Sequence, residues 1–155
     1  TGFSFSSFFN LRQKGVPAED IVVLLMSKYG LVLYGNAIMV NPDYAKAHPE
    51  VVKGFVRATI KGIIETARDP KAAIASVMKR NETADEAIEL ARLEMALRDN
   101  IVTAWVKANG VGDVDPARLA KSIDQVAITY DFKAKPTASD IFTGEYLPPV
   151  ADRKL

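Results

Sequence analysis

The stretch LVLYGNAIMVNPDYAKAHPEVV, residues 31–52, decides the fold because its pattern changes from strand-like to helical at a single point. Its first ten residues, Leu31–Val40, are mostly aliphatic and aromatic and are interrupted by the pair Gly35-Asn36. They predict a strand with a bulge or sharp bend at the glycine. The Asn-Pro pair that follows is typical of the start of a helix.

A second apolar run precedes this stretch. Ile21–Met26 consists only of Ile, Val, Leu and Met and is bounded by Asp20 and Ser27. Its length and composition predict a strand buried on both faces, which needs neighbouring strands. Two strands alone make a marginal sheet. We therefore expect the chain to be part of a larger α/β protein.

After residue 41 the sequence predicts helices. A short helix should end at His48-Pro49, and a long amphipathic helix should follow it. Further helix starts are expected at Asp69-Pro70, at a capping box formed by Thr83 and Glu86, and at Asp115-Pro116. One apolar stripe is expected on the third of these long helices, formed by Leu90, Leu93, Leu97, Ile101 and Trp105. Glu82, Asp85, Glu86 and Glu89, with Arg92 among them, predict a solvated face.

Composition excludes several classes of function. The chain has 155 residues with 20 Lys and Arg against 19 Asp and Glu, so nothing in its charge favours nucleic-acid binding. It has no Cys and a single His, which excludes disulfides, thiolate metal sites and multi-His metal sites. No apolar run approaches the length of a membrane span. We expect no cofactor, no metal ligand and no catalytic residue.

Several short phrases occur in a fixed order along the chain. Tyr34–Val40 has the form Tyr-Gly-x-x-Ile-x-Val and is followed by His48-Pro49. Asp-Pro-x-x-Ala stands at 69–73, Asp-Pro-x-x-Leu at 115–119 and Asp-x-Phe-Thr at 140–143. Together these phrases resemble the periplasmic solute-binding proteins of ABC importers, in the nitrate, sulfonate, taurine and thiamine-precursor group (the NMT1-like family).

The resemblance implies the C-terminal half of a two-lobed type II periplasmic-binding-protein fold, an α/β fold that is mostly helical in this chain, with a few strands. Residues 1–40 would form the end of the second lobe and the crossover strand. Residues 41–155 would form the C-terminal helical part of the first lobe. The chain would then be partial, and exposed strand edges would favour a dimer.

The same resemblance implies a ligand-binding site between the lobes. Its candidate residues are Phe3, Ser4, Phe5, Ser6, Tyr29, Tyr34 and Asn36. The Thr1–Ser7 segment would be a strand-to-helix turn that lines the pocket, where hydroxyl and amide donors could hold an anionic or strongly polar group beside aromatic rings. The alternative is structural: the rings pack in a core, the serines cap a helix, and Tyr34 and Asn36 serve the local backbone.

Two classes of function follow from the resemblance, and a third does not need it. The first is the substrate-binding component of an ABC transporter, periplasmic or otherwise extracytoplasmic, which delivers a small organic solute to a membrane permease and is not an enzyme. The second is a thiamine-pyrimidine-synthase-like enzyme, whose Cys-rich iron site has no counterpart among these residues. The third is a helical interaction domain without a small ligand, which the run Ile21–Met26 disfavours.

Overall fold

The computed structural model describes residues 2–155, so Thr1, the first residue of the predicted 1–40 unit, lies outside the described residues. The helices are α1 Ser4–Gln13, α2 Pro42–Ala47, α3 Pro49–Arg68, α4 Pro70–Met78, α5 Glu86–Ala96, α6 Ala104–Asn109, α7 Pro116–Ala127 and α8 Ala138–Ile141. Single 3₁₀ turns lie at Ala18–Asp20, Met26–Tyr29 and Val150–Arg153, and a π turn lies at Leu97–Ile101. The division at residue 40 stays a prediction.

The predicted strands are not formed. Residues 2–155 contain no strand, so the helical majority is confirmed and the α/β class is not. The backbone of Ile21 and Leu25 does have extended dihedral angles. A strand exists only where a second strand takes its N–H and C=O groups, and the described residues supply none for Ile21–Met26 or Leu31–Val40.

The structure confirms the helix starts that were predicted at Asn41, Asp69 and Asp115. Each side chain accepts hydrogen bonds from first-turn backbone N–H groups, and each is followed by a proline in the first turn. The capping box at Thr83 is wrong. Asp85 caps α5 by accepting from the Ile88 N–H at 2.9 Å, while Thr83 donates to the Asn81 side chain.

The hydrophobic core is built on one face of α3. Its cluster comprises Ala45, Val52, Val56, Ile60, Ile64 and Val111. The buried face of α3 is narrower than its set of apolar residues, because Val51 and Phe55 are 56% and 60% exposed. A helix residue on the edge of an apolar stripe is buried only where a neighbouring element covers it.

The helix expected to continue to Trp105 is interrupted. After α5 the chain makes the π turn Leu97–Ile101 and leaves the helical conformation at Val102. Thr103 then caps α6, accepting from the Val106 N–H at 3.3 Å. Leu97 is buried in the π turn, and Trp105 lies in the first turn of α6. The apolar stripe is therefore divided between two helices.

The end of the chain is anchored by Arg153, which is only 4% exposed. Its guanidinium donates to the carbonyls of Pro148 at 2.9 Å and Val111 at 3.0 Å, and lies 3.6 Å from the Asp113 carboxylate. The Val111 N–H donates back to the Arg153 carbonyl at 2.8 Å. At the start of α8, the Thr137 N–H and hydroxyl both donate to Asp140 and hold the pKa of that carboxyl below its usual value.

The chain exposes much more surface than a compact protein of its size. Its accessible surface is 11033 Å², whereas a compact monomer of 16.9 kDa exposes roughly 7,700 Å². The excess of roughly 3,300 Å² is several times one side of a standard protein interface, about 800 Å². Apolar side chains of Ile21–Met26 and Leu31–Val40 contribute to this excess surface. Val22, Leu24 and Met39 are 80%, 67% and 92% exposed.

Candidate ligand-binding site

Four of the predicted site residues lie at the start of α1. Phe3 occupies the N-cap position without a side-chain cap, and its carbonyl accepts from the N–H groups of Ser6 and Ser7 at 3.0 and 2.9 Å. The Phe3 and Phe5 rings are stacked, with centroids 5.2 Å apart. Phe3 is half exposed, and Ser4 and Ser6 are partly buried. The serines therefore do not occupy the cap, and an aromatic face lies beside first-turn N–H groups.

Arg92 of α5 holds α1 in place. Its Nη1 donates to the carbonyls of Phe5 and Ser6 at 3.1 and 3.3 Å, and its Nε donates to Glu89 at 3.1 Å. The guanidinium also lies 5.6 Å from the centroid of the Phe9 ring. The side chains of Arg92 and Glu89 are 20% and 22% exposed, so the prediction of a solvated face is wrong for this pair.

Replacing Arg92 with alanine is expected to loosen α1 from α5. The change leaves two half-buried carbonyls and one carboxylate without their donor, which should lower the free energy of unfolding by about 1–2 kcal/mol. Chemical denaturation measures the loss, and faster amide hydrogen exchange in α1 locates it. Arg57 is the control, because its side chain is exposed on α3, away from α1 and α5, and Arg57→Ala should leave both readouts unchanged. Equal effects from the two variants would contradict the role of Arg92.

Tyr34 lies against α7. Its hydroxyl accepts a hydrogen bond from the Asp115 N–H at 2.8 Å, and the Arg118 guanidinium lies 4.3 Å from the centroid of its ring. Beside it, α7 side chains bond to the extended backbone of Gly30, Val32 and Leu33. Tyr34 is thus fixed by one polar and one cation–π contact.

The remaining two predicted residues are at the surface. Tyr29 ends a 3₁₀ turn and is 72% exposed, and Asn36 is exposed on the extended segment. The structure therefore brings the predicted residues into two groups, one on α1 and one beside α7. That these seven residues bind a ligand stays a prediction.

Two concave surfaces lie elsewhere. A groove of about 340 Å³ lies between α3, α5 and the π turn, and its apolar lining includes Ile63, Leu93 and Leu97. A second, of about 240 Å³, lies between α3 and the chain end and contains Lys53 and Arg57. A hydrogen bond to Glu50 raises the pKa of the Lys53 amine, which therefore stays charged. None of the predicted ligand residues lines either surface.

Two further features bear on the class of protein. No helix between residues 2 and 155 is both long enough and apolar enough to cross a membrane. In the same residues no three or more His, Cys, Asp or Glu side chains are grouped as a metal ion would require.

Sequence reasoning missed the residues that hold the two groups. Arg92 was assigned to a solvated face, although its spacing of three from Glu89 allows a helical ion pair. Arg118, Ser122 and Gln125 follow the i, i+4, i+7 spacing of one face of α7. That spacing is the signal that could have found them, since it places three hydrogen-bonding side chains in a row beside the apolar residues Leu119 and Ile123.

Comparison with protein families agrees with the resemblance described above. The sequence model of the NMT1/THI5-like family matches residues 2–73. An NMT1/THI5-like domain therefore spans residues 2–73, which include all seven predicted ligand residues. Residues 74–155 lie outside the match. The family implies a periplasmic-binding-protein fold, and its members are often periplasmic. No curated protein and no solved structure matches the chain at a significant level.

Proposed function

We propose that this chain is the C-terminal part of the substrate-binding component of an ABC transporter. It would capture a small organic solute between two lobes, which close because the solute contacts both of them. The observation that carries the proposal is the NMT1/THI5-like domain over residues 2–73. Capture and release of a solute need no catalytic group, so we propose that the protein is not an enzyme.

The large exposed surface supports the proposal that another part of the protein covers these residues. An excess of roughly 3,300 Å² over a compact monomer is what a chain would expose if a covering body were removed. Part of the exposed apolar surface lies on Ile21–Met26 and Leu31–Val40, the segments whose composition is that of buried strands. We propose that the rest of the protein supplies the strands that pair with them.

The chemistry of α1 supports a class of ligand. Its first turn combines hydroxyl groups, backbone N–H groups and two stacked rings, with no carboxylate among residues 2–9. Hydroxyl and N–H donors suit a carboxylate, a sulfonate or a thiamine-precursor-like solute with an aromatic body. A cationic solute would need an acidic residue that this segment does not have.

The proposed partners follow from the transport role. The solute-loaded protein would dock on the membrane permease of the importer, on the periplasmic or another extracytoplasmic side of the membrane. The balanced charge of the chain does not favour nucleic acid as a partner. A dimer is proposed only for the isolated chain, where the uncovered strand segments could pair with those of a second copy.

The second candidate is a thiamine-pyrimidine-synthase-like enzyme. The family description covers both kinds of protein, which is the observation that favours it. Such an enzyme would need its iron ligands, and this chain offers His48 as its one histidine and no cysteine. Metal analysis of the full-length protein separates the candidates: stoichiometric iron supports the enzyme, and a binding protein should contain none.

A ligand screen tests the transport proposal. Thermal denaturation of the full-length protein is measured with taurine, benzoate, a hydroxymethyl pyrimidine and spermidine. We expect one of the first three to raise the melting temperature and spermidine to have no effect. For the compound that binds, Asn36→Ala or Ser4→Ala should weaken binding by about 1–3 kcal/mol, because a buried partner group loses its hydrogen bond.

The control for the screen is Asn81→Ala, an exposed asparagine outside the candidate site. It should leave binding unchanged. Stabilisation by spermidine alone would contradict the class of ligand. Unchanged affinity in both Ser4→Ala and Asn36→Ala, with the fold intact, would show that these residues belong to the scaffold.

A further inference from the structure

The backbone of residues 30–33 is bonded by side chains of α7. Gln125 donates through Nε2 to the Gly30 carbonyl at 2.7 Å and accepts from the Val32 N–H at 3.0 Å. Ser122 Oγ lies 3.0 Å from the Val32 carbonyl. A side-chain amide that donates to residue 30 and accepts from residue 32 reproduces the bonding of a neighbouring strand.

These contacts lie on one edge of the segment. The Gly30 carbonyl and both the N–H and the carbonyl of Val32 bond to side chains of α7. α7 therefore occupies the place where a second strand would pair. Two of the residues responsible, Ser122 and Arg118, are buried and half-buried respectively.

Arg118 holds the next part of the segment, where the strand-like pattern ends. Its Nε donates to the Val32 carbonyl and its Nη2 to the Leu33 carbonyl, both at 2.8 Å. The same guanidinium covers the Tyr34 ring, whose hydroxyl is bonded to the N-terminus of α7 at Asp115. Lysine, with its single point charge, could not span two carbonyls and a ring in this way.

We propose that Arg118, Ser122 and Gln125 are positioning residues, which together take the place of a neighbouring strand along residues 30–32 and fix the orientation of Tyr34. No strand can pair along this side of the segment, so the strands proposed above would pair along its other side. The segment and α7 move as one body, and Tyr34 keeps its place relative to α7. The inference rests on the contacts of α7 alone and is independent of which solute binds, or whether one does.

Amide hydrogen exchange at Val32 tests the proposal, because the Gln125 side chain is the acceptor for that N–H. In the full-length protein, Gln125→Ala should make the Val32 amide exchange about tenfold faster, the effect of losing one hydrogen bond in an otherwise intact fold. Gln125→Glu keeps an acceptor for the Val32 N–H but places its second carboxylate oxygen against the Gly30 carbonyl, so its Val32 amide should exchange faster than in the parent and slower than in Gln125→Ala.

The matched control is Lys121→Ala, an exposed position on the same helix. It should leave exchange at Val32 unchanged. Ser122→Ala is the second variant, and it should speed exchange at Val32 without affecting α1. If Val32 exchanges at the parental rate in both Gln125→Ala and Ser122→Ala, the proposal is overturned. The ligand screen described above needs no such result, so the two proposals fail separately.

Discussion

Gly110→Ala is expected to be strongly destabilising. Gly110 has φ 87° and ψ 165°, a backbone conformation that is nearly exclusive to glycine. A Cβ atom built there would also lie 2.9 Å from the Arg153 Cβ and 3.1 Å from the Arg153 carbonyl oxygen. Backbone strain and the steric clash together should lower the free energy of unfolding by roughly 2–5 kcal/mol. Thermal or chemical denaturation measures the loss.

Gly54 is the matched control for this substitution. It lies in the middle of α3, and a Cβ atom there would meet nothing within 4 Å. Because alanine favours a helix over glycine by about 1 kcal/mol, Gly54→Ala should raise stability. Opposite signs for the two variants are therefore expected. A Gly110→Ala protein as stable as its parent would contradict the backbone conformation described for Gly110.

The second large effect is expected for Arg153→Ala. The variant removes the donor to two buried or half-buried carbonyls, those of Val111 and Pro148. Each carbonyl left without a partner costs free energy, and the loss should total roughly 3 kcal/mol. The chain end should detach first, which limited proteolysis after residue 147 would detect before global unfolding.

Two further variants separate the possible causes. Asp113→Asn removes the charge 3.6 Å from Arg153 but leaves both carbonyl bonds intact, so only a small loss is expected. Lys154→Ala changes an exposed neighbour and should have no effect. If Asp113→Asn is as damaging as Arg153→Ala, the ion pair and not the carbonyl bonding anchors the chain end.

The starts of the helices were predictable because their causes are local. Asn41, Asp69 and Asp115 each precede a proline and bond to N–H groups within the next turn, so no distant residue is needed. The same reasoning failed at Thr83, where Asp85 offered a competing cap two residues later. Which of two candidate residues caps a helix depends on the conformation of the chain around them, and the local sequence does not fix that conformation.

The resemblance to a family was also a property of the sequence. It depends on the order of short phrases from Tyr34 to Thr143, and the family match confirms it over residues 2–73. The candidate ligand residues came with the resemblance and not from their own chemistry. Neither burial nor hydrogen bonding of Phe3, Ser4 or Asn36 follows from local pattern, because each depends on what packs against it.

The sequence by itself therefore determined the helices whose caps and apolar stripes are local, and the membership of residues 2–73 in their family. Only the tertiary structure decided which groups the extended backbone at 30–34 bonds to, and that α5 gives way to a π turn. It also decided that Arg92 and Arg153 are half-buried or buried anchors instead of surface charges. The physical reason is that hydrogen bonds between residues some 40 to 95 positions apart leave no periodicity in the sequence.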